Sequence, residues 1–423
     1  MFSKSVNRIY FKIVTSIAFY PVLICIGFVI LSFLLLGIQQ WAVFQFISDR
    51  LDFLIVKDFE TARTILSTLI GGILSLMVFS FSMVMLVLNQ ASSNFSPRLL
   101  PGLISDKKHQ LILGLYSGTL LYCVLVLIAV GGKNATMSYV GFATMISAIL
   151  GIICVITFVY FIHMISTTIQ IDNIVDTVFL ETKRIFENIK KHHIAHLDDN
   201  EDWHPVFAKD TGYYRGYDEK ALRELMQKNE NAIEITIYED KQIWEGSLLA
   251  KTRDPLDTDQ LEKVSRCMTI SPDRHHGMSY FGGLSKLMEV AVKSLSPGIN
   301  DPRTAVDIIN KLGQLIHMRL KLPTRIKKFE DKEAAIVSTL IDVNDLFSEI
   351  IQPIRHYGRN DLSVCISLAN LFDFLSAQSQ KEHITKHVIA NAIENLARDV
   401  ATGNLSEIDK TTFSDLINLN ANN

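Results

Sequence analysis

The chain has 423 residues, enough for two or three domains, and 48% of them are hydrophobic, more than a soluble protein usually carries. Residues 1–171 contain ten Lys and Arg against five Asp and Glu, whereas the remaining residues contain 31 against 39. This pattern argues against a wholly soluble protein, and the acidic second part argues against nucleic-acid binding because it would repel phosphates.

Residues 1–170 predict a transmembrane domain with four spans. Each span has about 20 or more residues without Lys, Arg, Asp or Glu, enough for a helix to cross roughly 30 Å of hydrocarbon. The spans are Phe19 to Ile38, Ile65 to Leu88, Leu111 to Val130 and Val140 to Ile162. Loops on the cytoplasmic side of a membrane carry an excess of Lys and Arg. Four spans with a cytoplasmic N-terminus place most of the basic residues on that side, so both termini are predicted to lie in the cytoplasm.

The second predicted span has a polar face. Thr68, Ser75, Ser82 and Asn89 recur every seven residues, and seven residues fall about 20° short of two helical turns, so the four stay on one side. A hydroxyl-lined path for water or ions is one interpretation, formed where copies of this helix meet around an axis. Helix packing through hydroxyls and small residues is the alternative, and the lack of charge in the stripe favours it.

Two residues near the predicted inner membrane surface are candidates for a gate or an anion contact. Arg98 lies between Pro97 and Pro101, in an elbow at the level of the lipid headgroups. It either meets those headgroups or attracts anions from a cytoplasmic vestibule. His163 ends the fourth span and could respond to protons, although a hydrogen-bonded histidine at headgroup level is the commoner situation.

Beyond the membrane, residues 171–204 predict a helical stalk and linker, because apolar residues keep helical spacing through Ile185. The segment ends in "HHIAHLDDNEDWHP", whose spacing matches no metal-binding motif, so we expect a solvated linker and no metal site.

Residues 205–272 predict a small α+β module, open or closed into a barrel. Asp218 is the predicted N-cap of a helix, and alternating residues from Ile233 to Tyr238 predict a strand with one buried and one wet face. The module contains neither a glycine-rich phosphate loop nor a nucleophile elbow. We therefore expect no cofactor and no enzymatic activity.

Residues 273–423 predict a helical domain, in which two apolar stripes flank the segment "LSPGINDPRTAVD". Pro297 and Gly298 are predicted to end the first helix, and Asn300 favours hydrogen bonds to local backbone. Asp301 is the predicted N-cap of the next helix, and Pro302 its first residue. With Arg303 this helix start could hold an anion, but Asp301 occupies it, which favours a structural turn.

Further amphipathic helices are predicted after this turn. Their ranges are Ala334 to Ile354, Leu362 to Leu375 and His387 to Val400.

Two regions of the chain carry a family resemblance. "NQASSNFSPRLL" with the following "LGLYSGTLLY", and later "FGGLSKLMEVAVKSLSPGINDPRTAVDIINKLGQL", resemble the signature regions of the bacterial predicted-membrane-protein family called domain of unknown function 2254. The resemblance covers most of the chain and implies four N-terminal spans and a soluble region, in the bacterial plasma membrane. It implies no activity. Family members usually have an Arg-Thr and a Gln-Asp pair shortly before the "FG", where this chain reads "PDRHHGMSYFG", which argues against a shared binding site there.

These observations predict a membrane all-α fold with four transmembrane helices, followed by a cytoplasmic α+β module and a helical C-terminal domain. The leading hypothesis is an oligomeric channel- or transporter-like protein of the bacterial inner membrane with a cytoplasmic regulatory domain. Its expected partners are the lipid bilayer, further copies of itself and an ion or small solute, but no nucleic acid. A membrane-anchored signalling or scaffold protein without conduction is the alternative. A membrane-embedded enzyme is third, because no intramembrane charged pair or nucleophile–base set is present.

Overall fold

The structure is a computed structural model that describes residues 18–37, 55–94, 107–131, 137–168, 171–191, 203–272, 279–331, 333–378 and 383–421. The chain divides into two compact units. The apolar unit comprises Met1–Ser93 and Leu99–Asn173, and the α+β unit comprises Asn94–Arg98 and Ile174–Asn423.

The apolar unit is built from four described helices. They are α1 (Phe19–Gly37), α2 (Phe59–Asn94), α3 (Lys107–Val130) and α4 (Met137–Thr168). Within the part of the chain that the structure describes, three helices are long and apolar enough to cross a membrane, through Phe59–Val87, Lys107–Val130 and Val140–Ser166. The apolar stretch of α1, Phe19–Leu34, is shorter than the roughly 20 residues that a perpendicular span needs.

Two glycines of α3 allow α1 and α3 to approach closely. A Cβ atom added to Gly114 of α3 would lie 2.6 Å from Cδ1 of Ile24 on α1, and one on Gly118 would lie 2.5 Å from Cδ2 of Phe28. The Gly-x-x-x-Gly pair of α3 is therefore the surface on which α1 packs.

The α+β unit begins within α5 (Ile171–Lys190) and contains eight strands and nine further α-helices in the described residues. The first group is β1 (His204–Phe207), β2 (Gly212–Tyr217), α6 (Glu219–Lys228), β3 (Ala232–Ile235), β4 (Gln242–Ile243), β5 (Leu248–Thr252), α7 (Thr258–Cys267) and β6 (Met268–Ser271). After α8 (Tyr280–Ser294) and α9 (Pro302–Leu320) come β7 (Arg325–Asp331) and β8 (Ala334–Thr339). The remainder is α10 (Val343–Leu346), a π-helical turn (Phe347–Ile351), α11 (Gln352–Gly358), α12 (Leu362–Gln378), α13 (His383–Thr402) and α14 (Glu407–Ala421).

The strands form two open sheets within the described ranges, with the orders β1-β5-β3-β8-β7 and β4-β2-β6. β3 lies centrally between antiparallel β5 and parallel β8, and all four of its residues are buried. The prediction that one face of this strand is exposed to solvent is therefore wrong. Its one carboxylate, Glu234, is only 7% exposed and accepts a hydrogen bond at 2.6 Å from Arg325 of the edge strand β7.

The helix predicted to start at Ala334 is also wrong over its first part, because Ala334–Thr339 is strand β8. The run from Ala334 to Val337 is buried at every residue, so it shows no alternation. A short apolar run of this kind cannot be assigned to a strand or a helix from its periodicity. The sheet thus takes two strands from the segment that was predicted to be helical throughout.

The two helices around the motif "LSPGINDPRTAVD" are separated by a short turn. α8 ends at Ser294, three residues before Pro297, and α9 begins at Pro302. The carboxylate of Asp301 accepts a hydrogen bond at 3.2 Å from the backbone N–H of Thr304, and Asn300 has a left-handed φ of 50°. Asn is among the residues that tolerate this conformation best, which suits it to this turn.

Gly283 of α8 makes room for α5. A Cβ atom at this position would lie 1.9 Å from Oγ1 of Thr182, whose hydroxyl already donates to the carbonyl of Val178. We expect Gly283→Ala to destabilise the α+β unit by about 1–3 kcal/mol through overpacking, measured as urea unfolding of the full-length protein in detergent. Gly298→Ala is the control, since a Cβ atom there meets nothing within 4 Å. Equal stability of the two variants would contradict the close α5–α8 contact.

Candidate functional site

A cavity of about 260 Å³ in the α+β unit brings together charged, aromatic and apolar side chains. Its walls come from α5, β2, the first residue of α6, the end of β3 with the turn after it, the first residue of α8, the middle of β7 and the end of β8. Volumes of this order suit small ligands, and converging polar groups in such a cavity are the usual mark of a binding site.

Two β-bulges place cations in the wall of this cavity. The pairing of β2 with β6 shifts register between Tyr214 and Tyr217, where Arg215 lies. The pairing of β7 with β8 shifts register around Lys328. A bulge turns a side chain away from the regular alternation of a strand, and both of these cations line the cavity.

Arg215 forms a buried ion pair with Asp240, and both side chains are nearly inaccessible, at 6% and 5% exposure. Asp240 has a left-handed φ of 69°, which is uncommon for a residue other than glycine. Its carboxylate also accepts a hydrogen bond from the hydroxyl of Ser279, the N-cap of α8. The turn after β3 is thereby attached both to β2 and to the start of α8.

Glu239 supplies the carboxylate of the cavity. Its Oε1 atom lies 3.6 Å from the position that a Cβ atom on Gly216 would take, an ordinary contact distance that places the carboxylate beside the β2 bulge. Burial raises the pKa of Glu239 above its ordinary value, and the positive charges of Lys328 and Arg215 oppose that rise. The Glu239 side chain is nonetheless exposed, so its carboxylate can reach a ligand.

Tyrosines form the aromatic part of the wall. The hydroxyl groups of Tyr217 and Ser338 share a hydrogen bond of 3.2 Å, and the hydroxyl of Tyr280 accepts one of 2.9 Å from the backbone N–H of Ile341. Burial is the main cause that raises the pKa of Tyr217 to about 12, so this phenol stays neutral and can donate. The ring of Tyr280 also packs on Phe186 of α5, with centroids 5.4 Å apart.

The raised pKa of Glu239 makes stability depend on pH. A carboxyl group whose pKa is higher in the folded than in the unfolded state favours folding fully below its unfolded value of 4.5, and this contribution is lost as the pH rises through the folded value. We expect Glu239→Gln to gain stability relative to the wild type as the pH rises from about 4 to neutral, in urea unfolding at a series of pH values. Glu245→Gln, an exposed carboxylate outside the cavity lining, controls for the change in net charge. A difference between Glu239→Gln and wild type that does not vary with pH would contradict the shift.

The predicted polar face of the second span lies on α2, and its four members are exposed: Thr68, Ser75, Ser82 and Asn89. The hydroxyl of Thr68 donates to the carbonyl of Thr64 at 2.8 Å, and that of Ser75 to the carbonyl of Gly71 at 2.9 Å. Two of the hydroxyls are thus satisfied by the backbone of α2 itself.

The packing face of α2 lies on the opposite side of the helix. Its buried members Leu66, Ile73, Ser80 and Val87 also recur every seven residues, and each precedes a polar-face residue by two positions. Two positions correspond to about 200° around an α-helix. The polar face therefore points away from the core of its own chain.

The other predicted site residues are not gathered into one place. His163 is exposed on α4, and Arg98 lies outside the described residues, as does most of the histidine-rich linker. The motif residues Pro297, Gly298, Asn300 and Asp301 form the α8–α9 turn, Pro302 and Arg303 begin α9, and none of the six lines the cavity. In the described ranges no group of three or more His, Cys, Asp or Glu side chains is placed to hold a metal ion.

The cavity residues were missed in the sequence. Arg215, Glu239, Tyr280 and Lys328 lie up to 113 positions apart, and no motif connects them. The one local signal was Gly216 in a tyrosine-rich strand, since an isolated glycine in a strand often marks a bulge.

Comparison with known proteins decides the family. The sequence profile described as "Predicted membrane protein (DUF2254)" matches residues 14–373, which is most of the chain. The chain belongs to the DUF2254 family. The resemblance seen in the sequence is thereby confirmed, and the protein is a predicted membrane protein.

Two curated relatives share part of the chain: "Uncharacterized protein Mb1321c" of Mycobacterium bovis and "Uncharacterized protein Rv1290c" of Mycobacterium tuberculosis. Each is 24% identical over 268 residues, covering 60% of this chain and 51% of the relative. The chain thus spans about half the length of these relatives, and no solved structure matches it. The DUF2254 match includes the polar face of α2 and every residue named above in the cavity wall.

Proposed function

We propose that this DUF2254 protein is a homo-oligomer of the bacterial inner membrane that forms a channel- or transporter-like path for an ion or small solute. The observation that supports the proposal is the polar face of α2, exposed on the side opposite the packing face. The proposed activity is therefore transport rather than catalysis.

The energetics of the bilayer favour covering this face with another copy. Lipid tails offer no hydrogen-bond partner, so polar side chains in a membrane helix usually face other helices or a water-filled space. Thr68 and Ser75 are already satisfied by their own backbone, which leaves their oxygen lone pairs for water. Copies of α2 around an axis would therefore line a neutral, weakly polar path with rings of side chains about 10 Å apart.

The proposed topology has four spans, with α1 as the first and both termini in the cytoplasm. Snorkelling of flanking residues and local thinning of the bilayer can accommodate a short apolar helix, and the bias of basic residues supports the orientation. The α+β unit is then a cytoplasmic regulatory domain. The chain enters this unit through α5, which begins at Ile171, three residues after α4 ends at Thr168.

Flux measurements on the full-length protein in liposomes test the path. We expect passage of K⁺, Cl⁻ or glycerol through the wild type, and its loss in the double variant Ser75→Leu with Ser82→Leu, because leucine removes polarity and narrows the path. Ser166→Leu is the matched control, since Ser166 is an exposed hydroxyl on α4 that also bonds its own helix, at 2.9 Å to Ile162. Unchanged flux in the double variant, or a monomeric mass in detergent, contradicts the proposal.

A membrane-anchored signalling protein without conduction is the second candidate. It is favoured by the position of α5, whose Ile185 and Ile189 form one wall of the cavity. Under this alternative the purified protein would bind a ligand in the α+β unit, yet liposomes containing it would show no flux.

A further inference from the structure

We propose that the cavity lined by Arg215, Glu239 and Lys328 binds a small zwitterion with an apolar body, the chemistry of a free aliphatic amino acid. This inference concerns the α+β unit alone and goes beyond the proposed path through the membrane. Ligand binding in this cavity does not depend on whether the protein conducts an ion or solute.

The charges in the wall define the ligand. Arg215 is compensated by Asp240, and Glu219 by Arg223 at 2.8 Å, so both charges have partners within the protein. Glu239 and Lys328 remain as opposite charges that act on each other electrostatically. Among the ion pairs in the described part of the chain, none joins these two directly.

This arrangement selects against ligands with a single charge. A ligand with a single negative charge would be attracted by Lys328 but repelled by Glu239. A ligand with a single positive charge would be attracted by Glu239 but repelled by Lys328. A molecule with both an ammonium and a carboxylate group can satisfy both residues, and charge-assisted hydrogen bonds of this kind are stronger than neutral ones. A zwitterion is therefore the class of ligand that the two charges accept.

The size and the remaining wall define the body of the ligand. An apolar cavity of about 150 Å³ holds one benzene molecule, so the 260 Å³ found here suits about ten non-hydrogen atoms. Leucine and methionine are of this size. The apolar wall that would meet such a side chain consists of Ile185, Ile189, Ile235, Ile237 and Leu340.

The site is also built from irregular backbone that a cavity left by imperfect packing would not need. Arg215 and Lys328 both sit at β-bulges, and Glu239 precedes Asp240 with its left-handed φ. Backbone in rarely populated conformations persists where the surrounding contacts hold it, which happens most often at binding and catalytic sites.

Because Ile185 and Ile189 lie one turn apart on α5, a ligand body that packs on them would add contacts between α5 and the sheets. Occupancy of the cavity would then stabilise the position of α5 within the α+β unit.

Binding to the purified full-length protein in detergent tests the ligand class, with isothermal titration calorimetry and thermal unfolding as readouts. Three probes differ from L-leucine by one feature each: isocaproate lacks the ammonium group, isoamylamine lacks the carboxylate, and glycine lacks the apolar body. We expect saturable binding of L-leucine or L-methionine with a raised Tm, and at least tenfold weaker binding of the three truncated probes. No saturable binding of either amino acid, or isocaproate binding as tightly as leucine, overturns the proposal.

Substitutions locate the site. Lys328→Met and Glu239→Gln should each weaken leucine binding at least tenfold while the unliganded protein still unfolds cooperatively. Lys327→Met is the matched control, because the neighbouring lysine pairs with Glu330 at 2.5 Å and lies outside the cavity lining. Full binding by both Lys328→Met and Glu239→Gln would show that leucine binds elsewhere, and would refute the assignment without bearing on flux.

Discussion

Replacing Arg215 by methionine should destabilise the α+β unit by about 3–5 kcal/mol, the usual cost of removing one partner of a buried ion pair. Methionine replaces the apolar stem of arginine, so the packing of that stem is largely kept while the guanidinium is removed. The carboxylate of Asp240 would keep the hydroxyl of Ser279 as a donor but lose the guanidinium that compensates its charge. An uncompensated charge at 5% exposure is the main source of the expected loss.

Urea unfolding of the full-length protein in detergent measures this effect. Two of its three tryptophans, Trp203 and Trp244, lie in the α+β unit, so fluorescence mainly reports the unfolding of that unit. Arg266→Met is the control, because Arg266 is 69% exposed and its i,i+4 pair with Glu262 should contribute no more than about 0.5 kcal/mol.

A double variant separates the ion pair from other causes. Adding Asp240→Asn to Arg215→Met removes the uncompensated charge, and Asn tolerates a left-handed φ, so much of the lost stability should return. If Arg215→Met proves as stable as Arg266→Met, the buried pair is not formed.

Arg319→Met is the second substitution with a large expected effect, a loss of about 2–4 kcal/mol. Arg319 is 2% exposed, and its guanidinium donates to the carbonyl of Ile341 at 2.8 Å and to that of Leu322 at 2.8 Å. A weaker contact of 3.4 Å reaches Oγ1 of Thr324. Methionine fills part of the volume but leaves these buried acceptors without their charged donor.

Arg319→Lys should recover only part of this stability, because an ammonium group cannot reproduce the planar fork that reaches several acceptors at once. Arg398→Met is the control, since Arg398 is 65% exposed and its ion pair is with Glu394 one turn away on the surface. The same urea titration followed by tryptophan fluorescence applies. Equal midpoints for Arg319→Met and Arg398→Met would contradict the role of the buried guanidinium.

The replacement of Arg319 should also disturb the wall of the cavity. Ile341, whose carbonyl accepts from Arg319, donates its N–H to the hydroxyl of Tyr280 in the cavity wall. Arg319 thus positions the end of β8 and the first residue of α8 together, on the side of the molecule that the proposed ligand would contact.

Long periodic patterns in the sequence predicted their elements well. The stripe of Ala305, Ile308, Ile309, Leu312, Leu315 and Ile316 is buried throughout α9. Asp218 caps α6 as predicted, accepting a hydrogen bond from the backbone N–H of Ala221 at 3.1 Å. These features depend on interactions within about four residues, for which sequence patterns are most informative.

Features that depend on tertiary pairing could not be predicted in this way. The burial of both faces of β3 requires β8, which lies about a hundred residues later and carries no strand periodicity of its own. The polar face of α2 was visible in the sequence, but its orientation depends on which side packs on the other helices. The two cations of the cavity, Arg215 and Lys328, lie at bulges, and a bulge is a property of a strand pair rather than of one strand.

The parallel pairing of Ala232–Ile235 with residues 335–338 also has a consequence for synthesis on the ribosome. Until β8 emerges, one edge of β3 has no strand to pair with, and an open apolar edge invites pairing with other chains. The helical hairpin α8–α9 and strand β7 are translated in that interval. Chains cut off before Ala334 should therefore aggregate or be degraded, whereas chains that extend past Thr339 can complete the sheet.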